Sequence, residues 1–110
     1  NTRAPSDAIT EWILDNHAPD LVTKTTLKTG VVLAARDLDY DKIMREPGGI
    51  TKMLWRKIKT LRPEDKKHGA RYQIDGKSTE VRAIRSVDEW KEIDQRRENQ
   101  TVLDNLDKGM

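Results

Sequence analysis

A chain of 110 residues has room for one domain built on about twenty apolar side chains. With 35% apolar and 36% charged residues, its core is small and its flanks polar. Cysteine is absent, which excludes disulfides and thiolate metal sites and fits a reducing, cytoplasmic setting. No apolar run nears the roughly 20 residues of a membrane-spanning helix, and no signal-peptide pattern opens the chain. The first residue is Asn1 rather than Met, which points to an excised piece of a longer protein or a cloning remnant. The net charge of +2 is unevenly spread. Lys52–Arg85 holds 11 basic and 4 acidic residues, a net +7, while the remainder holds 10 and 15, a net −5. Such asymmetry marks either a surface that meets a polyanion or a solvated charged face.

In chain order, residues 1–5 read as a disordered lead-in. Ser6 is placed to cap a first helix and Asp7 favours its positive end. Ala8, Ile9, Trp12 and Ile13 recur at helical spacing to about Asn16, and Pro19 disfavours helix at Ala18. Leu21 and Val22 read as an extended approach. A second helix begins at Thr23 or Lys24 and ends around Arg36, although Gly30 costs it about 1 kcal/mol relative to Ala and a strand at Val31–Leu33 is an alternative. Asp37-Leu38-Asp39-Tyr40-Asp41 looks like the start of a calcium loop. That loop needs Gly at its sixth position and Glu at its twelfth, where Lys42 and Gly48 stand. The segment reads instead as the cap of a short helix over Tyr40–Arg45, ended by Pro47-Gly48-Gly49.

Ile50, Met53, Leu54, Ile58 and Leu61 fall on one face of a helix, and Lys52, Arg56 and Lys59 on the opposite one. Trp55 lies at the margin, as a core-edge aromatic or as a ring for base stacking. Arg62-Pro63 ends this helix. Asp75-Gly76 is a two-residue hairpin turn. It pairs Ile74 with Lys77, Tyr72 with Thr79 and Ala70 with Val81 on one face, and Arg71 with Glu80 and Gln73 with Ser78 on the other, Arg71–Glu80 being a cross-strand charge pair. Ser86 and Glu89 have the spacing of a capping box. A polar helix should follow from Val87 to about Asn99, with Val87, Trp90 and Ile93 as its stripe. Residues from Gln100 on either extend it, with Val102, Leu103 and Leu106 as a second apolar patch, or fray.

Catalytic chemistry finds no support. Gly76-Lys77-Ser78-Thr79 matches the tail of a phosphate-binding loop, but the earlier glycine it requires is Arg71, and a hairpin tip replaces the strand-to-helix turn. His17 and His68 are far apart and have no cysteine for company, so neither a metal site nor a nucleophile–base pair is indicated. Asn99-Gln100-Thr101 is a glycosylation sequon without a secretory context. The expectation is a non-enzymatic module with no cofactor and no metal.

A basic helix followed by a basic hairpin is the arrangement by which a winged helix-turn-helix meets DNA. The expected fold is therefore α+β and mostly helical. A three-helix core over residues 6–85, packed on Trp12, Ile13, Leu27, Leu33, Leu54, Ile58 and Leu61, carries the hairpin wing. Residues 86–110 form a C-terminal polar helix or tail. The expected DNA contacts are Thr51, Lys52, Arg56, Lys59 and Arg62 on the helix, entering a major groove. The wing contributes Arg71, Lys77, Arg82 and Arg85. The amides near Gly49 and Ile50 would bind phosphate at the helix start.

The string Arg71-Tyr72-Gln73-Ile74-Asp75-Gly76-Lys77-Ser78-Thr79-Glu80-Val81-Arg82, and the order of parts before it, resemble the C-terminal winged-helix domain of phage and mobile-element replication proteins. These are the virulence-associated protein E and related primase–helicase families, and the likeness spans about Ser6 to Arg85. The resemblance implies a module that engages origin or template DNA, duplex or forked, beside a helicase or primase core lying elsewhere in a parent protein, in a bacterial host's cytoplasm. Two other readings stay open. One is a freestanding phage or plasmid transcriptional regulator that dimerises through residues 86–110. The other is a docking module for a helicase or polymerase.

Overall fold

The structure, a computed structural model, describes residues 3–109. It is α+β and mostly helical, and no helix among the described residues is long and apolar enough to cross a membrane. The chain divides into two units. One comprises the chain up to His17 together with Lys24–Lys57, and the other Ala18–Thr23 with the chain from Ile58 onward.

The first unit is four helices: α1 (Pro5–Asn16), α2 (Lys24–Asp37), α3 (Asp41–Arg45) and α4 (Gly48–Lys57). Helix α1 opens on Pro5, whose ring presets helical φ and whose missing N–H has no partner to lose in a first turn. This corrects two expectations. Asn1 and Thr2 of the lead-in lie outside the described residues, but Pro5 is helical and Arg3 pairs with Glu11. Ser6 is inside the helix instead of capping it, and its carbonyl accepts the Thr10 hydroxyl at 2.7 Å. Ile9 and Ile13 are buried, and the Trp12 indole N–H donates to Asp37 of α2 at 2.8 Å. On α2 the buried set is Leu27, Gly30, Val31, Ala34 and Ala35, one stripe at helical spacing. Leu33, expected in the core, is 43% exposed. It lies about 200° around the helix from Val31.

Helix α4 differs most from expectation. It starts two residues early, at Gly48, and stops at Lys57 rather than Leu61. Its start is tied by Pro47, whose carbonyl accepts both the Thr51 amide (3.0 Å) and the Thr51 hydroxyl (2.8 Å). Its end is set by tertiary bonds in the second unit. The Ile58 carbonyl accepts from the Arg82 guanidinium at 2.9 Å, Thr60 bridges to Arg82, and Leu61 joins that unit's core. Thr51, Leu54 and Trp55 are buried on α4, which makes Trp55 a core aromatic.

The second unit holds β1 (Leu21–Val22), β2 (Arg71–Ile74), β3 (Lys77–Glu80), β4 (Arg82–Ala83), α5 (Val87–Gln95) and α6 (Asn99–Asp107). The hairpin has the expected register from Arg71↔Glu80 to Ile74↔Lys77. Asp75 (φ 51°) and Gly76 (φ 78°) both take the left-handed geometry that a two-residue turn demands. The polypeptide then continues into β4, which pairs antiparallel with β1: Leu21 opposite Ala83, Val22 opposite Arg82. Leu21, Leu61, Ala70, Tyr72, Val81, Ala83, Trp90 and Val102 form the core. The buried Leu21 amide donates to the Asn105 side chain at 3.0 Å.

Three further expectations fail here. The Arg71–Glu80 charge pair does not form. Arg71 donates to the His68 and Ser78 carbonyls, and Glu80 takes Arg82 at 2.9 Å. The Ser86 capping box does not form either, because Ser86 sits at φ 52° and its hydroxyl makes no cap bond. The helix expected to run from Val87 to about Asn99 stops at Gln95, and Arg97 (φ 59°) turns the chain into a separate α6. This break brings Val102 into the core formed around Trp90 and packs Leu106 against it.

Candidate polyanion-binding site

Lys52 and Arg56 are four residues apart on α4, so they share one face, and both are exposed. Lys24 and Lys28 have the same spacing at the start of α2 and are likewise exposed. The two pairs line one concavity of about 630 Å³, together with Thr25, Gly48, Thr51 and Trp55. Its walls thus carry four cations, and none of the described residues lining it is acidic. The Lys24 ammonium stands 5.8 Å from the centre of the Trp55 ring, an attraction of about 0.5–1 kcal/mol where the cation stays hydrated. The first turns of α2 and α4 both border the hollow, so the positive ends of the two helix dipoles face it.

Among the expected site residues, the structure brings Thr51, Lys52 and Arg56 together here. The Thr51 hydroxyl donates to Pro47, which leaves its lone pairs to accept. Lys59 is exposed but lies past the end of the helix. The other basic residues belong to the second unit, and their surroundings differ. Lys77 stands exposed beside the hairpin turn. Arg71 is exposed, with its guanidinium on the His68 and Ser78 carbonyls. Arg62, Arg82 and Arg85 are structural: Arg62 clasps Asp94, Arg82 holds Glu80 and the Ile58 carbonyl, and Arg85 holds the Pro19 carbonyl and Asp20. Lys24 and Lys28 lie outside the basic stretch that charge counting isolates. Their signal in the sequence was the i, i+4 spacing on the helix face adjoining Leu27 and Val31.

The other concentrated electrostatics is the Asp94 cluster. Asp94 is 2% exposed. It accepts from Arg62 Nη2 at 2.7 Å, Arg62 Nε at 3.1 Å and the Tyr72 hydroxyl at 2.5 Å. Burial alone would raise its carboxyl, but the hydrogen bonds from Arg62 and Tyr72 outweigh that and hold it below the usual carboxylate range. Burial, and then the bond to the Asp94 carboxylate, push the Tyr72 phenol well above its ordinary value. Both Asp94 oxygens are engaged, so the carboxylate works as a strut between β2, α5 and the Arg62 loop. No group of three or more His, Asp or Glu side chains suited to a metal occurs among the described residues. No protein-family model, curated protein or solved structure matches this chain.

Proposed function

We propose that the chain binds nucleic acid, as the winged-helix DNA-engaging module of a phage-type replication protein whose catalytic core lies elsewhere in a longer parent. The observation that carries this reading is the concavity of Lys24, Lys28, Lys52 and Arg56, with no acidic residue among the described residues lining it. Gathering like charges costs self-repulsion that a bound polyanion relieves. The chain order supports the winged-helix part. Helix, strand and three further helices precede a hairpin, and the first strand pairs antiparallel with the run that leaves that hairpin. The exposed Lys77 and Arg71 supply the wing's contact with the backbone in this reading.

The test is fluorescence anisotropy with duplex, forked and single-stranded DNA across a salt series. With Lys24, Lys28, Lys52, Arg56 and Lys77 each meeting a phosphate, log K should fall with log salt at a slope of about −4 to −5. Lys52→Glu/Arg56→Glu should weaken binding at least tenfold, and Arg71→Glu/Lys77→Glu should do so less. A flat salt response, or two double variants that bind like the parent chain, would sink the proposal.

A further inference from the structure

We infer that the concavity beside Trp55 seats the phosphate groups of one nucleic-acid strand and is indifferent to base sequence. This rests on the proposed function and narrows it to backbone recognition by α2 and α4. Three observations lead there.

The first is shape. Reading bases requires side chains that project from a convex helix face to the base edges. Here Lys24 and Lys28 share a hollow with Lys52 and Arg56. The second is donor chemistry. Adenine is read by Asn or Gln and cytosine by a carboxylate, and neither type occurs among the described residues lining the hollow. What lines it is three ammonium groups, a guanidinium and two hydroxyls, which suit phosphate oxygens; the one base they could also read is guanine, and sharing a hollow withholds the outward projection that reading needs. The third is the aromatic. A stacking platform offers an open ring face to a base, whereas Trp55 is 5% exposed and has the Lys24 ammonium near its ring. Trp55 is thus the floor on which Lys24 is held, and a phosphate drawing on that ammonium changes the field at the indole.

Closely spaced phosphates also occur in free polyphosphate, so the experiment carries both sources. The full chain is titrated with two duplexes of unrelated sequence and, separately, with inorganic tripolyphosphate. The Trp55 indole N–H is followed by NMR, its signal assigned with Trp55→Phe. Lys24→Gln/Lys28→Gln is compared with the parent chain. Both lysines are exposed, so the fold should tolerate the change. The expected result is a Kd about tenfold higher on both duplexes alike and a salt slope shallower by about 2, since two phosphate contacts are lost. The Trp55 signal should also move with duplex and with tripolyphosphate. If the duplexes bind but the variant binds equally well and Trp55 stays still, the backbone seat is wrong and the nucleic-acid reading stands. A strong preference between the two duplexes that the variant abolishes also overturns sequence indifference. If only tripolyphosphate binds and moves Trp55, the nucleic-acid reading falls and the hollow is a free-polyphosphate site. If neither ligand binds, both fall.

Discussion

Removing the Asp94 carboxylate tests whether the cluster at Arg62 and Tyr72 holds the second unit together. In Asp94→Ala the Tyr72 hydroxyl, on a side chain 6% exposed, loses its acceptor, and the Arg62 guanidinium loses both of its bonds. Stripping one partner from a buried ion pair costs about 3–5 kcal/mol. Arg62 keeps 24% of its side chain in contact with solvent, so the lower end, about 3 kcal/mol, is expected. Tyr72→Phe removes only one bond to a charged acceptor, about 1.5 kcal/mol, and leaves Asp94 its two bonds to Arg62. With Asp94 already gone, Tyr72→Phe should cost nothing or even stabilise, because it deletes an orphaned hydroxyl. The two changes should therefore be strongly non-additive, by 1 kcal/mol or more. Urea titration of the parent chain, both single variants and the double variant measures this, with circular dichroism and tryptophan fluorescence as probes that need not coincide in a chain of two units. Additivity within about 0.5 kcal/mol would refute the cluster as a coupled strut.

Two more outcomes follow from particular residues. Because the Asp94 carboxyl is held below its ordinary value, its contribution is present in full above about pH 4, the unfolded carboxylate value, and fades as pH falls through the lower folded value. The urea midpoint of the parent chain should drop through that acid range. Asp94→Ala should lack that part of the drop, and equal acid limbs would contradict the assignment. Gly30→Ala should stabilise the chain by up to about 1 kcal/mol in thermal unfolding, because a Cβ there meets Ile13 at 3.6 Å, an ordinary contact. A loss of stability would mean that α1 and α2 approach more closely than that distance allows.

What could be read in the sequence was what local chemistry decides. Asp75-Gly76 admits essentially one tight turn, and that turn sets the register of every pair from Ile74–Lys77 back to Arg71–Glu80. The stripe on α1 follows from spacing alone, whereas on α2 the sequence leaves helix and strand open at Val31–Leu33, and the fold makes it helix with Leu33 outward. The misses share a cause, which is competition from distant partners. Ile58 and Leu61 continue the period of α4, yet Arg82 and the second core claim that segment. Ser86 and Glu89 have the capping spacing, but the chain leaving β4 reaches Ser86 in a left-handed conformation, and its hydroxyl makes no cap bond. Arg62, Arg82 and Arg85 count as +3 in a charge sum although Asp94, Glu80 and Asp20 answer each of them. Two of those acids lie outside the basic stretch, so a regional count could not see the pairing. For the same reason Lys24 and Lys28 stayed hidden. They join Lys52 and Arg56 only once α2 and α4 are folded against each other.

The short strand Leu21–Val22 has a consequence for how the protein is made. It lies between two segments of the first unit yet belongs to the second, and its Leu21 amide is satisfied by Asn105, 84 positions later. During synthesis from the N-terminus, α1 to α4 can find one another as soon as they emerge, whereas Leu21 must wait for 84 further residues before its acceptor exists. At about 5–20 residues per second, that leaves roughly 4–17 seconds before the buried Leu21 amide has its acceptor. Within each molecule, α6 closes a strand made 84 residues before it.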